Sequence, residues 1–181
     1  MKLNNLIIDD FLDDPDEIRN FLIDNKVPFE IKGPYPGQRT PPVDNQLYKN
    51  MIVKKLHEVL PFKIKMYPLS YAFQLCLSSD KSWIHVDPSD WTGVLYLTPN
   101  PPIESGTLLF KADDETMEIV RKNRKEESPM INCTLDSAIG NVYNRLVLWR
   151  GKEILHKSNL AGFGDCLENG RLTQVFFFDE V

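Results

Sequence analysis

The sequence predicts a mainly β protein of the α+β class, in which a double-stranded β-helix (a cupin-like jelly roll) packs against N-terminal helices. Two observations favour this fold. From Leu69 onward the chain consists of short apolar runs separated by turn residues, whereas two earlier stretches have helical spacing. A histidine and an aspartate of metal-ligand type also fall inside the strand-rich part. We therefore predict a single domain over residues 1–181, with helical and loop support in 1–66 and the β-helix core in 67–181.

The N-terminal part begins with a predicted strand over residues 6–12, where apolar residues dominate. Asp14 is a suitable N-cap and Pro15 a suitable first helical residue, so a helix is predicted from there to about residue 25. Glycine and proline in residues 32–42 predict an irregular loop. Apolar residues three and four positions apart then predict a second helix within residues 43–60.

Residues 69–78 alternate between large apolar and smaller or polar side chains. The larger set, with Tyr71 and Phe73, is expected against the helices, and the other set, with Gln74 and Cys76, is expected to face the barrel interior. Further strands are predicted at residues 92–97, 106–111, 130–135, 146–150, 153–156 and 171–178. The charged stretch 113–128 predicts a solvated helix or insertion, although a lid beside the site is an alternative.

The composition argues against some classes of binding partner. The formal net charge is −5, which disfavours binding to nucleic acid or to an anionic membrane. The three cysteines are widely spaced and predict reduced thiols in a cytoplasmic protein. No apolar run approaches the roughly 20 residues of a membrane span, so no membrane association is expected. The sequence does not predict the oligomeric state.

A candidate metal site is formed by His85 and Asp87, with His156 following 71 positions after His85. On extended backbone, residues two apart project from the same face, so His85 and Asp87 can bind one ion. Two imidazoles and one carboxylate occupy only one face of an octahedron, which is the arrangement of non-haem Fe(II) oxygenases. The alternative is that these histidines make ordinary core or surface hydrogen bonds.

A candidate anion site follows on the last predicted strand. Arg171 and Thr173 share one face of that strand. A guanidinium and a hydroxyl at this spacing can hold a carboxylate through charge-assisted hydrogen bonds.

Four stretches resemble the Fe(II)- and 2-oxoglutarate-dependent dioxygenases, nearest to their prolyl-4-hydroxylase-like group. They are WIHVD (83–87), GVLYLTPNPPIESGTLLF (93–110), NRLVLWRGKEILH (144–156) and GRLTQVFFF (170–178). The resemblance implies that His85, Asp87 and His156 bind iron and that Arg171 with Thr173 receives the distal carboxylate of 2-oxoglutarate. Arg171 lies 15 residues after His156, somewhat further than is usual in this family, and the intervening residues can loop out.

The resemblance further implies a hydroxylase that consumes Fe(II)-bound O2 and 2-oxoglutarate and releases succinate and CO2. Its substrate would be a peptide side chain, a free amino acid or another small metabolite. Gln74 lies 11 residues before His85, where this group often has a residue that helps to bind 2-oxoglutarate. For Gln74 and for Tyr96, a cosubstrate contact and a structural hydrogen bond are both open.

Other residues have plainer interpretations. Trp83, Trp91 and Trp149 are predicted to pack, and His57 is predicted to face solvent. Arg39 could meet an anion at the mouth of the site, but a surface arginine is the favoured interpretation. The segments 34–42 and 113–128 and the turn near Trp91 are expected to contact the substrate.

Two alternatives remain for the function. A non-oxidative cupin-type isomerase or lyase would use the three metal ligands without a dicarboxylate anchor. A jelly-roll binding module would bind a ligand without turnover. Release of succinate separates both from an oxygenase.

Overall fold

The computed structural model describes residues 3–123 and 132–181. Within them the helices are α1 (Pro15–Asp24), α2 (Gln46–Val59) and α3 (Asp114–Lys122), with a short 3₁₀ turn at Ile103–Ser105. The strands are β1 (Asn5–Ile8), β2 (Gln38–Arg39), β3 (Ile64–Met66), β4 (Phe73–Cys76), β5 (Trp91–Tyr96), β6 (Thr107–Ala112), β7 (Cys133–Ile139), β8 (Leu146–Arg150), β9 (Leu155–Ser158) and β10 (Arg171–Glu180).

The strands form two antiparallel sheets. The larger has the order β1-β8-β5-β10-β4-β2, and β3 pairs with the far end of β10. The smaller has the order β7-β6-β9. This mainly antiparallel architecture, with α1 and α2 packed on the larger sheet, confirms the predicted fold class, a double-stranded β-helix with N-terminal packing helices.

Alternation along the central strands divides the interior into two regions. On the outer face of the larger sheet, residues such as Leu95 and Phe176 pack with Ile52 and Leu56 of α2. Complete burial of such a side chain stabilises the fold by about 1.5–3 kcal/mol. The inner face meets the smaller sheet through a second cluster of buried residues, namely Tyr96, Leu109, Ile139, Val147 and Trp149.

Both N-terminal helices begin at a side-chain cap. The Asp14 carboxylate accepts a hydrogen bond from the Glu17 amide, so α1 starts as predicted. The second helix starts at Gln46, later than the predicted residue 43, because Asn45 is its N-cap and accepts from the amide of Tyr48.

Two predicted strands are too long. The first ends at Ile8, since Asp10 has a positive φ of 53° and turns the chain before Phe11. The strand predicted over residues 69–78 is reduced to β4, because Tyr71 has a φ of 71°. Tyr71 and Phe73 do join the helix-side core, as expected.

The remaining strands lie near their predicted positions. The predicted strand at 130–135 corresponds to β7, which runs further, to Ile139, while Met130 and Ile131 lie outside the described residues. The predicted strand at 153–156 corresponds to β9, which begins at Leu155 and ends at Ser158.

The charged stretch 113–128 contains α3, and residues 124–128 lie outside the described residues. Met117 and Val120 of α3 pack with Val86 and Leu155 in a third buried cluster. The described part of the stretch is therefore a helix packed beside the smaller sheet.

The N-terminal 66 residues are also part of the larger sheet. They contribute β1, β2 and β3 to it, and the backbone of β1 pairs with that of β8. Within residues 3–123 and 132–181, none of the helices combines the length and apolar character that crossing a membrane requires.

Candidate metal and anion site

His85 and His156 are neighbours across a single β-bridge. The amide of each donates to the carbonyl of the other, at 3.1 and 3.0 Å. Val86 is buried in the cluster with α3, so His85 and Asp87 project together on the other side. The expected same-face arrangement is thus present, although this segment forms only a bridge and not a full strand.

The ligand atoms of His85, Asp87 and His156 all lie within 4.8 Å of one another. Nε2 of His156 is 3.1 Å from Oδ2 of Asp87, and Nε2 of His85 is 3.9 Å from Oδ1. These three side chains could therefore hold one metal ion.

Backbone carbonyls orient both imidazoles. Nδ1 of His85 is 2.9 Å from the Trp83 carbonyl oxygen, and Nδ1 of His156 is 3.0 Å from the Ile154 carbonyl oxygen. Because a carbonyl oxygen only accepts hydrogen bonds, Nδ1 carries a proton in both rings, and Nε2 is the nitrogen that can bind a metal. Each Nε2 then faces the Asp87 carboxylate, and these electron-rich atoms repel one another unless a proton or a cation lies between them.

The protonation states of His85 and Asp87 suit the binding of a metal ion. Burial, followed by the charge of His156, lowers the pKa of His85 to about 4, so this ring is neutral at pH 7. Burial alone would raise the pKa of Asp87, but the two histidines and a hydrogen bond from Thr92 hold it well below its usual range. Asp87 is therefore a carboxylate.

Arg171 and Thr173 project from β10 into the cavity that contains the three candidate ligands. The cavity has an interior volume of about 70 Å³ and is open to solvent. Arg171 is almost fully buried, and its Nε donates to the Ser105 carbonyl at 3.0 Å. Val175 and Phe177 continue the same face of β10 along the cavity wall.

Gln74 and Tyr96 occupy different positions. Gln74 lines the cavity, and its side-chain amide is engaged by Arg39 and by the Pro36 carbonyl. Tyr96 does not line the cavity; its hydroxyl is 2.7 Å from the Thr107 hydroxyl. Its ring centroid is 5.5 Å from the guanidinium carbon of Arg171. A direct cosubstrate contact stays a prediction for both residues.

Three residues of the cavity wall, Thr92, Arg39 and Tyr35, were not expected there from the sequence. Thr92 donates to Asp87, and the alternation that it shares with Tyr96 on β5 could have indicated that it faces inward. Arg39, favoured as a surface residue, lies in the cavity wall, and so does Tyr35. The loop containing these two gave no periodic signal.

One of the three tryptophans packs in the core, and the other two lie next to the candidate histidine ligands. Trp91 is buried in the helix-side core. The ring of Trp149 lies 4.7 Å from that of His156, and its buried Nε1 has no hydrogen-bond partner among the described residues. Trp83 is part-buried, with its ring 6.2 Å from that of His85.

Only part of the expected substrate-facing surface reaches the cavity. The 34–42 segment contributes Tyr35, Pro36 and Arg39, whereas no described residue of 113–123 lines it. At the turn near Trp91, the lining residue is Thr92. His57, near the end of α2, is exposed as predicted.

Known proteins match this chain in structure but not in sequence. No protein-family model matches the chain, and no curated protein matches it in sequence. Solved structures do match over nearly its whole length. A prolyl-4-hydroxylase from Pseudomonas putida has a TM-score of 0.51 at 15% identity, covering 98% of this chain and 93% of its own.

Two further structures show the same likeness. A prolyl hydroxylase from Trichoplax adhaerens, in complex with a hypoxia inducible factor peptide fragment, has a TM-score of 0.58 at 13% identity, covering 97% of this chain and 83% of its own. The chain has the fold of the prolyl-hydroxylase-like oxygenases. HygX from Streptomyces hygroscopicus, with nickel, 2-oxoglutarate and hygromycin B bound, shares that prolyl-hydroxylase-like fold with a TM-score of 0.59 at 11% identity, covering 97% and 82%.

Proposed function

We propose that the protein is an Fe(II)- and 2-oxoglutarate-dependent dioxygenase that hydroxylates a C–H bond of its substrate. One observation carries this proposal. His85, Asp87 and His156 converge in a cavity whose wall also contains Arg171 and Thr173. A metal site and a buried cation in one cavity suit a ligand that chelates iron at one end and has a carboxylate at the other.

The three candidate ligands fit iron. Two imidazole nitrogens and one carboxylate oxygen are the facial triad of non-haem Fe(II) oxygenases. His85 is neutral and Asp87 is charged at pH 7, so neither must lose a proton before it binds the ion. The buried indole N–H of Trp149, next to His156, also lacks an acceptor that an oxygen ligand could provide.

Arg171 and Thr173 fit a carboxylate of a dicarboxylate ligand. Arg171 is 4% exposed, and a guanidinium this buried needs an anionic partner. Among the described residues, its partners are the Ser105 carbonyl, which accepts from Nε, and the Tyr96 side chain, and no carboxylate forms an ion pair with it. The distal carboxylate of 2-oxoglutarate supplies that charge, and the Thr173 hydroxyl supplies a hydrogen bond.

Bound iron with 2-oxoglutarate would supply the oxidising chemistry, which hydroxylates the substrate and releases succinate and CO2. The residues of the chain would bind the metal and cosubstrate, orient the metal ligands and exclude water from the site. The Trp83 and Ile154 carbonyls orient the imidazoles, and Thr92 orients Asp87. Val175 and Phe177 provide apolar wall around the reacting atoms.

The substrate class is a peptide side chain, an amino acid or another small molecule. The Trichoplax neighbour is complexed with a peptide fragment and HygX with hygromycin B, and both kinds of ligand accord with an open cavity. The net charge of −5 disfavours nucleic acid. We further propose that the protein acts in the cytoplasm.

The test is succinate formation by the purified protein with Fe(II), 2-oxoglutarate and O2. We expect slow succinate release without substrate and faster release with a substrate from a library of peptides, amino acids and oligonucleotides. Chelation of the metal should stop both. Metal-dependent turnover of a substrate without 2-oxoglutarate would instead support an isomerase or lyase, and ligand binding without any turnover would support a binding module.

A further inference from the structure

The cavity contains a second arginine, Arg39, at a position separate from Arg171. Arg39 belongs to the edge strand β2, whose backbone pairs with β4 so that Arg39 lies opposite Gln74. Arg171 pairs with Cys76 at the beginning of β10. The two guanidinium groups therefore reach the cavity from different strands.

The Arg39 side chain is held in a defined orientation. Its guanidinium carbon lies 3.8 Å from the ring centroid of Tyr35 and 5.6 Å from that of Phe177. Its Nε donates to Oε1 of Gln74 at 2.9 Å, and Nε2 of Gln74 donates to the Pro36 carbonyl. A stacked and tethered guanidinium loses little conformational entropy when it binds a ligand.

The outer edge of this guanidinium has no protein partner. Among the described residues, its two Nη nitrogens make no hydrogen bond, and no carboxylate pairs with Arg39. Arg145 and Arg150 differ from Arg39 in this respect, because each pairs with a carboxylate, Arg145 with Asp9 and Arg150 with Glu180. Burial lowers the pKa of Arg39, and the charge of Asp87 opposes this shift, so Arg39 lies within electrostatic range of the metal site.

The charge balance of the loaded cavity indicates what Arg39 would bind. Together, the two charges of Fe(II) and the charge of Arg171 balance the two carboxylates of 2-oxoglutarate and the carboxylate of Asp87. Lys157 also borders the cavity, so the charges of Arg39 and Lys157 are left over. Of these two groups, Arg39 is the one held in place by stacking on Tyr35 and by a hydrogen bond to Gln74, and this favours Arg39 as the group that binds the substrate.

We infer that Arg39 is a specificity-determining residue that binds a carboxylate of the substrate, so that the substrate is an amino acid or peptide with a free carboxylate close to the oxidised carbon. The inference rests on the proposed oxygenase function. A carboxylate matches the charge of Arg39 and the two parallel N–H donors of the guanidinium edge that faces away from Gln74.

The test compares matched acids and amides. The wild-type protein, with Fe(II) and 2-oxoglutarate, is assayed for succinate above the substrate-free rate with the free L-amino acids, a set of short peptides with free C-termini, and the primary amide of each. We expect the best acid to be used at least about 30-fold more efficiently than its amide, the scale expected for a buried charge partner. No substrate-stimulated turnover with any acid, or equal use of acid and amide, would overturn the inference.

Three variants identify the residue responsible. Arg39→Gln should raise the KM for the best acid by about 30-fold or more and abolish the preference for acid over amide. Arg39→Lys, which keeps the charge but not the planar fork, should restore part of that preference. Arg121→Gln, at an exposed arginine of α3, should retain wild-type activity and preference.

A second measurement separates this inference from the proposed function. Binding of 2-oxoglutarate to the Mn(II)-loaded protein is followed by calorimetry, which needs no turnover. We expect Arg39→Gln to change this affinity by less than about threefold, and Arg171→Ala to change it far more. Equal loss in the two variants would assign Arg39 to the cosubstrate and overturn the inference alone, whereas absence of 2-oxoglutarate binding in the wild-type protein would overturn the proposed function.

Discussion

The hydroxyl of Thr92 lies 2.7 Å from Oδ2 of Asp87 and donates a hydrogen bond to it. The same Oδ2 is 3.1 Å from Nε2 of His156. Thr92 thus fixes the rotation of the carboxylate relative to the imidazole. The arrangement makes the candidate metal site dependent on a residue that would not itself touch the ion.

Removing this hydrogen bond should weaken metal binding. Thr92→Val keeps the size and β-branching of the side chain but cannot donate, so Mn(II) affinity measured by calorimetry should fall by about 10-fold to 100-fold. Thr92→Ser retains the hydroxyl and should stay close to wild type. Equal affinity in the valine and serine variants would show that the hydroxyl is dispensable.

The candidate ligands themselves are tested by metal content. His85→Ala, Asp87→Ala and His156→Ala should each reduce bound Fe(II), measured by elemental analysis after dialysis, and should end succinate formation. His57→Ala is the matched control, because His57 is the one histidine of the three in the sequence that is not a candidate ligand, and it is exposed on α2. Full iron occupancy in all three ligand variants would contradict the assignment.

The anion site is tested by 2-oxoglutarate affinity. Arg171→Ala should weaken binding by roughly 30-fold to several thousand-fold, since loss of a buried charge partner costs about 2–5 kcal/mol. Thr173→Val should cost about 1 kcal/mol, or about fivefold. Metal affinity should be retained in both variants. Unchanged 2-oxoglutarate affinity in Arg171→Ala would mean that the dicarboxylate is anchored elsewhere.

Gly151 supports Asp87 from the other side. Its carbonyl accepts from the Asp87 amide at 2.9 Å, and a Cβ at this position would lie 2.6 Å from Oγ1 of Thr92 and 2.7 Å from the Ser89 carbonyl oxygen. Gly151→Ala should therefore displace the Asp87 segment and lower metal affinity by at least about tenfold. Gly140→Ala, where the added methyl meets the flexible end of Ile103, should leave metal affinity unchanged.

A stability prediction concerns Asn144, which joins the N-terminal strand region to the core. Its side chain accepts from the Leu12 amide and donates to the Leu12 carbonyl, both at 2.9 Å, and its φ is 62°. Asn144→Gly tolerates this φ but leaves two buried groups unpaired, so urea unfolding should show a loss of about 2–4 kcal/mol. Asn144→Ala should lose about 1–2 kcal/mol more, because alanine disfavours the left-handed conformation.

Asn100 is a suitable control for Asn144. It also has a positive φ, 49°, but is exposed in the turn after β5. Asn100→Gly should leave the free energy of unfolding within about 0.5 kcal/mol of wild type. A similar loss at both asparagines would assign the effect to the greater conformational freedom of glycine in the unfolded chain and not to the lost hydrogen bonds.

The parts of the site that sequence reasoning could predict depend on short-range geometry. His85 and Asp87 are two residues apart, and so are Arg171 and Thr173, so alternation alone gives the face that they share. The aromatic and β-branched residues of β10 likewise predict a buried strand. The convergence of these pairs needed the family resemblance, because the chain between them is long.

The parts that sequence reasoning missed depend on long-range pairing and on local backbone turns. Arg39 lies in a two-residue strand, too short for any periodic signal, and reaches the cavity only because β2 pairs with β4. Tyr71 sits in a run with clear alternation, yet its positive φ ends the strand. Neither a pairing partner thirty-five residues away nor a left-handed aromatic residue is encoded in local composition.

The edge hairpin that contains Tyr35 and Arg39 suggests a route to redesign. Its backbone is closed by reciprocal hydrogen bonds between Ile31 and Arg39, and Gly37, with a φ of 67°, allows the close approach to the Leu75 carbonyl. None of the three candidate iron ligands lies on this hairpin. Under the proposed function, exchange of its side chains, with Gly37 kept, should change which molecules are oxidised and should leave metal binding in place.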